Sequence, residues 1–341
     1  MTMTPKERVI AQIHHQETDF IPYTLEFEGD VAERLDAWYG TRAWRDRIDN
    51  AIRHVPVPNL VVDEQADIYY TDPFGTTWRV DHRPFHLVEP ALKRPSLEGF
   101  TFPDLDNLFT PAWKEEALRF IERHHNYFLV AGFGFGLFER TWALRGFDEA
   151  LMDAAADPAF YDELVERVAE HQLAIIERLL ELPVDGIMFS DDWGYQQGVL
   201  LGPDRWRRFL KPRLARLYER VHAAGRYTLS HCCGSIVDIM PDVIEIGLDV
   251  LESVQPEAVG MNPYELKRRY GAHITFWGGL GSQSIIPFGT PDSIRAEVAR
   301  LCREMGRGGG YILSPAKALQ PETPTENAAA VVEAFSAQTP P

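Results

Sequence analysis

The sequence lacks several features that would place it in other classes of protein. Its 341 residues include only three cysteines, which are too few for a disulfide framework and which predict reduced thiols that are free to bind metal. No run of about 18 apolar residues is present, so we expect no transmembrane helix. The first residues also lack the apolar core of a signal peptide. These features predict a cytoplasmic protein with no membrane partner.

Basic residues are also scarce. Lysine and arginine number 34 against 51 aspartates and glutamates, and the formal net charge is −17. A nucleic-acid surface or an anionic membrane surface requires basic patches, so we expect neither partner. An anionic small molecule is still compatible with this charge, because a few local arginines can override the overall field.

A glycine-rich phosphate loop is missing after the first strand-like segment. The nearest match, GFGFG at 132–136, lies in mid-chain and lacks the G-x-G-x-x-G spacing. What the chain does contain is an alternation of strand-like and helical segments, which predicts βαβ units around a parallel sheet. The strand-like segments are 20–27, 127–135, 185–192, 226–233, 248–255, 272–279 and 310–316, and the clearest helical segments are 158–182, 203–225 and 290–306.

At least seven strands of this kind favour an α/β fold with a closed (β/α)8 barrel, a TIM barrel, over an open sheet. Residues 59–90 alternate apolar and polar side chains around turns at Asp72-Pro73 and Gly75, and this pattern predicts a β-hairpin insertion. We expect one domain over residues 1–336 and a frayed tail at 337–341. In such a barrel, chemistry belongs at the carboxyl ends of the strands.

The stretch YTLSHCCGSI, residues 227–236, ends one of these strands with groups that bind metals. His231 and Cys233 are two positions apart, so their side chains share one face and Cys232 points to the other. A zinc ion accepts an imidazole nitrogen and a thiolate from such a pair and needs one or two further ligands. The alternative is a small buried thiol beside a hydrogen-bonded histidine, without metal.

Most of the chain resembles the uroporphyrinogen decarboxylase superfamily, whose fold is a (β/α)8 barrel. Two stretches in the N-terminal half match loosely, DPFGTTWR (72–79) and FERTWALRGFDEALMD (138–153). The specific matches are DGIMFSDDWGYQQGVLLGPDRWRRFLKPRL (185–214), HCCGSIVDIMPDVIEIGLDVLESVQPEAVGMNPYELKRRYG (231–271), ITFWGGLGSQSIIPFGTPDSIRAEV (274–298) and GGGYILSPAKALQPETPTEN (308–327).

The resemblance implies one of two functions, because the superfamily has two main branches. The true decarboxylases use no cofactor and bind substrate carboxylates through an arginine-rich loop near the N-terminus. The corresponding segment, FIPYTLEFEGDVAERL at 20–35, has no arginine before Arg34 and carries Glu26 and Glu28 instead. A polyanionic porphyrinogen would meet acidic groups there, so we do not expect this protein to make coproporphyrinogen.

The other branch comprises zinc-dependent methyltransferases that work with corrinoid proteins, and the sequence is closer to this branch. There a His-x-Cys pair binds zinc and a late cysteine completes the site. His231 and Cys233 match the pair, but Lys317 stands at about the place of the late cysteine. Two outcomes are compatible with this departure. Either a carboxylate replaces the missing thiolate, with Glu26 named first and Glu28 and Asp191 as the alternatives, or the metal site is lost.

The expected function is transfer of a methyl group between a small molecule or thiol and a corrinoid carried by a partner protein. The rival hypotheses are a metal-free decarboxylase or lyase of a small carboxylate, uroporphyrinogen decarboxylase-type activity included, and a non-catalytic ligand-binding barrel. The candidate site residues are Asp191, Asp192 and Lys317 for catalysis, Glu26, Phe135, Trp193, Gln255 and Trp277 for substrate binding, and His231, Cys233 and Glu26 for metal.

Overall fold

The computed structural model describes residues 3–60 and 68–338, in which strands and helices alternate along the chain. The helices are α1 (Pro5–Ile13), α2 (Val31–Tyr39), α3 (Leu105–Leu108), α4 (Pro111–Arg123), α5 (Leu137–Arg145), α6 (Phe147–Ala156), α7 (Pro158–Leu180), α8 (Pro203–Phe209), α9 (Lys211–Ala223), α10 (Met240–Glu245), α11 (Pro263–Tyr270), α12 (Ile285–Phe288), α13 (Pro291–Met305) and α14 (Thr325–Ser336), with 3-10 turns at Ala43–Arg47 and Val237–Ile239. The strands are β1 (Ile52–His54), β2 (Tyr69–Thr71), β3 (Thr77–Arg79), β4 (His86–Glu89), β5 (Phe128–Phe135), β6 (Gly186–Ser190), β7 (Gly194–Tyr195), β8 (Gly198–Val199), β9 (Tyr227–His231), β10 (Val250–Val254), β11 (Thr275–Leu280) and β12 (Tyr311–Pro315).

A curled parallel sheet of seven strands is the centre of the fold, in the order β1-β5-β6-β9-β10-β11-β12. Both of its edges meet the same N-terminal segment. The Thr24 N–H donates to the Leu313 carbonyl over 3.0 Å, and the Ala51 N–H, just before β1, donates to the Tyr23 carbonyl over 2.9 Å. The segment at 22–24 therefore connects β12 to the start of β1, and the carboxyl ends of the strands surround one opening.

Six of the seven predicted strands are present, as β5, β6, β9, β10, β11 and β12. The predicted strand at 20–27 is instead extended chain with isolated bridges at Tyr23 and Phe27. Between those bridges the Leu25 N–H donates to the side-chain oxygen of Asn50 over 2.8 Å, so that a side chain replaces a ladder partner. Strand β1 was not predicted, because three residues are too few to show a period of two.

The predicted helix at 203–225 is divided into α8 and α9 around Leu210. Pro212 lies in the first turn of α9, where a proline is tolerated because the first N–H groups of a helix have no intrahelical partner. A continuous helix would need that missing N–H. The predicted helices at 158–182 and 290–306 are present as α7 and α13.

Alternate residues of the strands divide the core into two layers. In β5, Phe128 and Val130 join the cluster inside the curled sheet, while Leu129 joins the larger cluster between sheet and helices. Helix α1 contributes Val9 and Ile13 to the inner cluster. Apolar side chains thus fill the amino-terminal end of the sheet, and polar groups concentrate at the carboxyl ends.

A three-stranded antiparallel sheet, β2-β3-β4, occupies the described part of the stretch where a hairpin insertion was predicted; residues 61–67 of that stretch lie outside the described residues. Asp72 holds the turn between β2 and β3. Its carboxylate accepts the N–H groups of Phe74 (2.9 Å) and Thr76 (3.0 Å) and the indole N–H of Trp78 (3.0 Å). It also pairs at 3.5 Å with Arg140 of α5, and both side chains are buried. This pair attaches the small sheet to the helical layer.

The C-terminal end of the described chain is tied to the N-terminal segment. The Gln338 side chain accepts the Ile21 N–H and donates to the Ile21 carbonyl, both over 3.2 Å. Part of the predicted frayed tail, residues 339–341, lies outside the described residues. Across 3–60 and 68–338, no helix combines the length and the apolar character that a membrane crossing requires.

Asp72→Asn is expected to lower the free energy of unfolding by about 3–5 kcal/mol, because it leaves the buried Arg140 charge without its partner. Urea unfolding followed by circular dichroism measures this loss. Asp81→Asn is the matched control, since the pair of Asp81 with Arg79 is exposed, and its unfolding midpoint should stay at the wild-type value. Equal midpoints for the two variants would contradict an anchoring role for Asp72.

Candidate functional site

A cavity of about 560 Å³ opens at the carboxyl ends of the parallel strands. Five of them supply its polar wall, through His54 of β1, Ser190 of β6, His231 of β9, Glu252 of β10 and Ser314 of β12. Loops that follow the strands add further groups. The charged side chains that line it are Glu26, Glu28, Asp192, Glu252 and Lys317.

Strand register places a carboxylate beside the imidazole. His231 is aligned with Ser190 on one side and with Glu252 on the other, so the two ionisable side chains lie next to each other on the inner face. A hydrogen bond joins His231 Nδ1 to a carboxylate oxygen of Glu252. The opposite ring nitrogen, Nε2, is thereby turned toward Cys233 and Asp192.

Three possible metal ligands come together at this point. His231 Nε2 lies 3.3 Å from Cys233 Sγ and 3.6 Å from Asp192 Oδ1. Among residues 3–60 and 68–338, these form the one group of three such side chains with ligand atoms within 4.8 Å of one another. The structure therefore groups Asp192, and not Glu26, with the His-x-Cys pair; Glu26 is an exposed residue elsewhere on the cavity wall.

The separations within this group fit a tetrahedral metal. Ligand atoms bound to zinc at about 2.0–2.3 Å are roughly 3.3–3.8 Å apart in a tetrahedron, and the two separations from Nε2 fall in that range. An imidazole, a thiolate and a carboxylate are also the ligand types that zinc accepts. A histidine that binds a metal through one ring nitrogen usually donates a hydrogen bond from the other nitrogen to a carboxylate or carbonyl, and Glu252 accepts this bond from His231 Nδ1.

The backbone holds the cluster in place. The Asp192 carboxylate accepts the Cys233 N–H over 2.7 Å, and the Asp191 N–H donates to the His231 carbonyl over 3.0 Å. Gly234 follows with a φ of 76°, and a Cβ there would lie 2.7 Å from the backbone of Gly194 and Tyr195. The strand-end turn therefore requires glycine directly after the two cysteines.

The electrostatic field of the site favours a charged His231 imidazole and a neutral Glu139 carboxyl group. Burial opposes a charge on His231, but Glu252 and Cys233 outweigh it, and the pKa of the imidazole lies well above its usual value. Burial and the charges of Asp192 and Asp191 raise the pKa of Glu139 well above its usual value. A divalent cation at the cluster would relieve this repulsion among carboxylates.

The two adjacent aspartates have different surroundings. Asp192 is half-buried on the cavity wall, but Asp191 is fully buried and is not part of that wall. The Asp191 carboxylate caps α5, because it accepts the N–H groups of Phe138 (3.0 Å) and Glu139 (2.8 Å). Burial raises the pKa of Asp191 to about 7 despite these hydrogen bonds.

Two of the predicted substrate-binding aromatics also lie away from the cavity. The Trp193 indole N–H donates to Asp191 over 2.6 Å, and its ring packs edge-on against Trp206. Phe135 packs against Trp78 and Trp142 in the small cluster under the antiparallel sheet. These contacts position α5 and the loop after β6 and do not reach the cavity wall.

The remaining candidates do line a cavity. Trp277 lines the first one, and its indole N–H donates to the Thr24 hydroxyl over 2.9 Å. Gln255 lines a neighbouring cavity of about 520 Å³. Lys317 is exposed and lines both cavities.

Sequence reasoning missed two ionisable groups, Glu252 and His54, and did not identify the neighbours of a third, Glu139. Glu252 is a single carboxylate inside the apolar run VLESV, and that isolation was the available signal. His54 was hidden by the failure to predict β1; burial lowers the pKa of its imidazole. Glu139 follows the predicted strand at 127–135, but nothing in the sequence showed that its neighbours would be Asp191 and Asp192.

Comparison with known proteins gives a consistent family. A profile of the family described as uroporphyrinogen decarboxylase (URO-D) matches residues 109–338. Methylcobamide:CoM methyltransferase MtaA of Methanosarcina barkeri is 29% identical over 174 residues, which cover 51% of this chain and 48% of that protein. Uroporphyrinogen decarboxylase of Thermus thermophilus is 29% identical over 181 residues, which cover 52% of this chain and 48% of that protein. The chain thus spans about half the length of the curated relatives that it matches.

A solved structure shares the fold over nearly the whole chain. A methyltransferase from Methanosarcina mazei superimposes with a TM-score of 0.72 and 21% sequence identity, and the match covers 98% of both chains. At this identity the similarity establishes an α/β fold of this kind, without a shared activity.

Asp191→Asn and Asp192→Asn are expected to separate support of the fold from function at neighbouring positions. Asp191→Asn places an amide NH₂ group against the three N–H donors of Phe138, Glu139 and Trp193. It should lower the free energy of unfolding by about 2–4 kcal/mol. Asp192→Asn keeps the oxygen that accepts the Cys233 N–H and should cost less than about 1 kcal/mol. Thermal unfolding of both variants at one pH checks this difference, and a larger loss for Asp192→Asn would refute the assignment.

Proposed function

The chain belongs to the uroporphyrinogen decarboxylase family, and we propose that within it the protein is a zinc-dependent methyltransferase. In this proposal it moves a methyl group between a corrinoid, carried by a partner protein, and a small molecule or thiol. The observation that carries the proposal is the cluster of His231, Cys233 and Asp192, backed by Glu252, on the wall of a cavity. The similarity to a methylcobamide:CoM methyltransferase supports the same chemistry.

The side chains divide the task of holding zinc. Cys233 Sγ and His231 Nε2 supply the softer ligands, and Asp192 supplies a carboxylate oxygen in place of the late cysteine that related sequences carry. The Nδ1 N–H of His231 donates to Glu252, so zinc would need to displace only the Nε2 proton to take the lone pair of that nitrogen. A bound zinc would lower the pKa of a substrate thiol and so supply a thiolate nucleophile at neutral pH.

The transfer itself requires a nucleophile and a dry approach to it. In the direction from corrinoid to thiol, the thiolate sulfur supplies the electron pair of the new carbon–sulfur bond, and the pair of the old carbon–cobalt bond stays with the corrinoid. Met188, Val55 and Trp277 give this cavity an apolar wall beside the cluster. Such a wall limits the water that would otherwise solvate a thiolate.

The architecture in this proposal is a closed (β/α)8 barrel in one domain over residues 1–336. The segment at 22–24 takes the place of the first strand, because its backbone hydrogen bonds reach both β12 and the residue before β1. The loops at the carboxyl ends of the strands then form the mouth, which is the usual position of chemistry in such barrels.

A metal-free carboxy-lyase is the second candidate, and one observation favours it. Lys317 stands where related methyltransferases carry a cysteine, and both Lys317 and Asp192 line the cavity as a potential acid–base pair. The decarboxylase relatives agree with this chemistry. A polyanionic porphyrinogen is disfavoured as the substrate, because Glu26 and Glu28 line the same cavity.

Zinc content is the first testable consequence. Protein purified without a histidine tag should carry about one zinc per chain, and His231→Ala combined with Cys233→Ser should abolish binding, because two of the three proposed ligands are lost. Elemental analysis measures the ratio. Glu252→Gln should retain the site but weaken zinc affinity by about 10–100-fold, since the neutral amide holds the imidazole less strongly.

Cys232→Ala is the matched control for zinc binding. Cys232 is fully buried, and burial raises the pKa of its thiol well above the usual value, so its removal should leave the zinc ratio unchanged. Wild-type protein that takes up no zinc, even when zinc is supplied, would eliminate the proposed methyltransferase and leave the carboxy-lyase.

Methyl transfer is the direct test of function. Zinc-loaded protein should demethylate methylcobalamin in the presence of thiols, with the corrinoid spectrum changing and the methyl thioether appearing in mass spectra. Asp192→Asn should lower kcat/KM by about 100-fold or more, because it removes the charge of one ligand. Turnover that is independent of zinc, or equal in Asp192→Asn, would contradict the proposal.

A further inference from the structure

A second cavity adjoins the candidate metal cluster at Asp192 and Cys233. Its volume is about 520 Å³, close to that of the first. Asp192 and Cys233 face both cavities, whereas His231 and Glu252 line only the first. Each cavity is large enough for a small molecule of its own. The cluster can thus be approached from two directions.

The second cavity exposes a side-chain amide nitrogen that has no partner among the described residues. Gln255 is only 6% exposed, and its side-chain oxygen accepts the Gly234 N–H over 3.0 Å, which fixes the direction of the amide. No group within 3–60 or 68–338 accepts a hydrogen bond from the Gln255 amide nitrogen. This nitrogen is open to the cavity, so its N–H groups are available to an acceptor on a ligand there.

A cation borders the same cavity on the next loops. The Ser253 hydroxyl, two residues before Gln255, donates to the Ala316 carbonyl, one residue before Lys317, so the two strand ends are joined. The Lys317 N–H donates to the Ser282 hydroxyl over 2.8 Å, which fixes its backbone. The Lys317 ammonium group makes no ion pair or hydrogen bond with any described residue.

Two further amide side chains line this cavity. Gln196 donates to the side-chain oxygen of Gln283 over 3.3 Å, and this bond connects the turn between β7 and β8 with the loop after β11. Glu322 is the one acidic side chain among the described lining residues apart from Asp192, which belongs to the metal cluster. The first cavity is lined by Glu26, Glu28 and Glu252 in addition to Asp192. An anion therefore meets fewer negative charges in the second cavity.

We propose that the second cavity binds the carboxylate of a small acid between the Gln255 amide nitrogen and the Lys317 ammonium group. Two donors suit the two oxygens of a carboxylate, and the rest of the molecule then extends toward Cys233 and Asp192. The methyl group of the donor then approaches the cluster from the first cavity. This inference rests on the proposed function, because it names the chemical class of the methyl acceptor: a short thiol that also carries a carboxylate.

The test compares three thiols in zinc-dependent demethylation of methylcobalamin: mercaptopropionate, its neutral analogue mercaptoethanol, and mercaptoethanesulfonate. Wild-type protein should prefer mercaptopropionate over mercaptoethanol by about 10–100-fold in kcat/KM, the range of one charge-assisted contact. Lys317→Met should reduce this ratio to nearly 1, and the loss should appear as a higher KM for mercaptopropionate and not as a lower kcat. A preference for the sulfonate over the carboxylate would overturn the choice of carboxylate.

Gln255→Glu tests the second donor. This variant keeps an oxygen for the Gly234 N–H, but it replaces the free NH₂ group with a negatively charged oxygen that repels the carboxylate of the thiol. The ratio of kcat/KM for mercaptopropionate to that for mercaptoethanol should therefore be lower than in Lys317→Met. Lys93→Met is the control, because Lys93 pairs with Glu89 on the exposed surface, and its ratio should equal that of wild type. A ratio unaffected by Lys317→Met and Gln255→Glu would refute the proposed site.

Propionate, which has no thiol, separates failure of the site from failure of the proposed function. Calorimetry should show propionate binding to wild-type protein, and Lys317→Met and Gln255→Glu should weaken it by about 10-fold or more. Binding of this kind without methyl transfer would reject the methyltransferase and retain the carboxylate site. Methyl transfer without propionate binding, or binding indifferent to both variants, would reject the site and retain the methyltransferase.

Discussion

The hydrogen bond between His231 and Glu252 is the interaction on which the rest of the site depends. It exists because neighbouring parallel strands align these two residues on the inner face of the curled sheet. The carboxylate fixes which imidazole nitrogen faces outward and determines its orientation toward Cys233 and Asp192. An unpaired histidine could rotate or exchange tautomers, and three potential ligands would no longer point to one position.

Strand alternation assigns structural and chemical roles to adjacent residues. Asp191 and Cys232 turn into the packed layer, where the first caps α5 and the second is sealed from solvent. Asp192 and Cys233 turn to the cavity. One residue of offset at the end of β6 or of β9 would exchange the members of the pair that follows that strand, so the register of β6 and β9 determines which side chains are available for chemistry.

The sequence predicted what depends on local pattern and missed what depends on pairing between distant segments. Apolar runs predicted six strands of the parallel sheet, and the i, i+2 spacing predicted that His231 and Cys233 share a face. The choice of Asp192 over Glu26 as their neighbour depends on how strand ends meet in space, which no local pattern encodes. Glu252 was missed for the same reason, because its importance lies in its alignment with His231.

Helix α5 makes three contacts with consecutive residues of its first turns. Phe138 and Glu139 give their N–H groups to Asp191, and the Arg140 side chain reaches Asp72 in the antiparallel sheet. A single helical turn thus sets the distance between the inner strand end and the outer sheet. An insertion of one residue in this turn would break either the hydrogen bonds to Asp191 or the ion pair with Asp72. Over evolutionary time, changes of length should therefore be tolerated far less in this turn than at the exposed ends of α4 or α9.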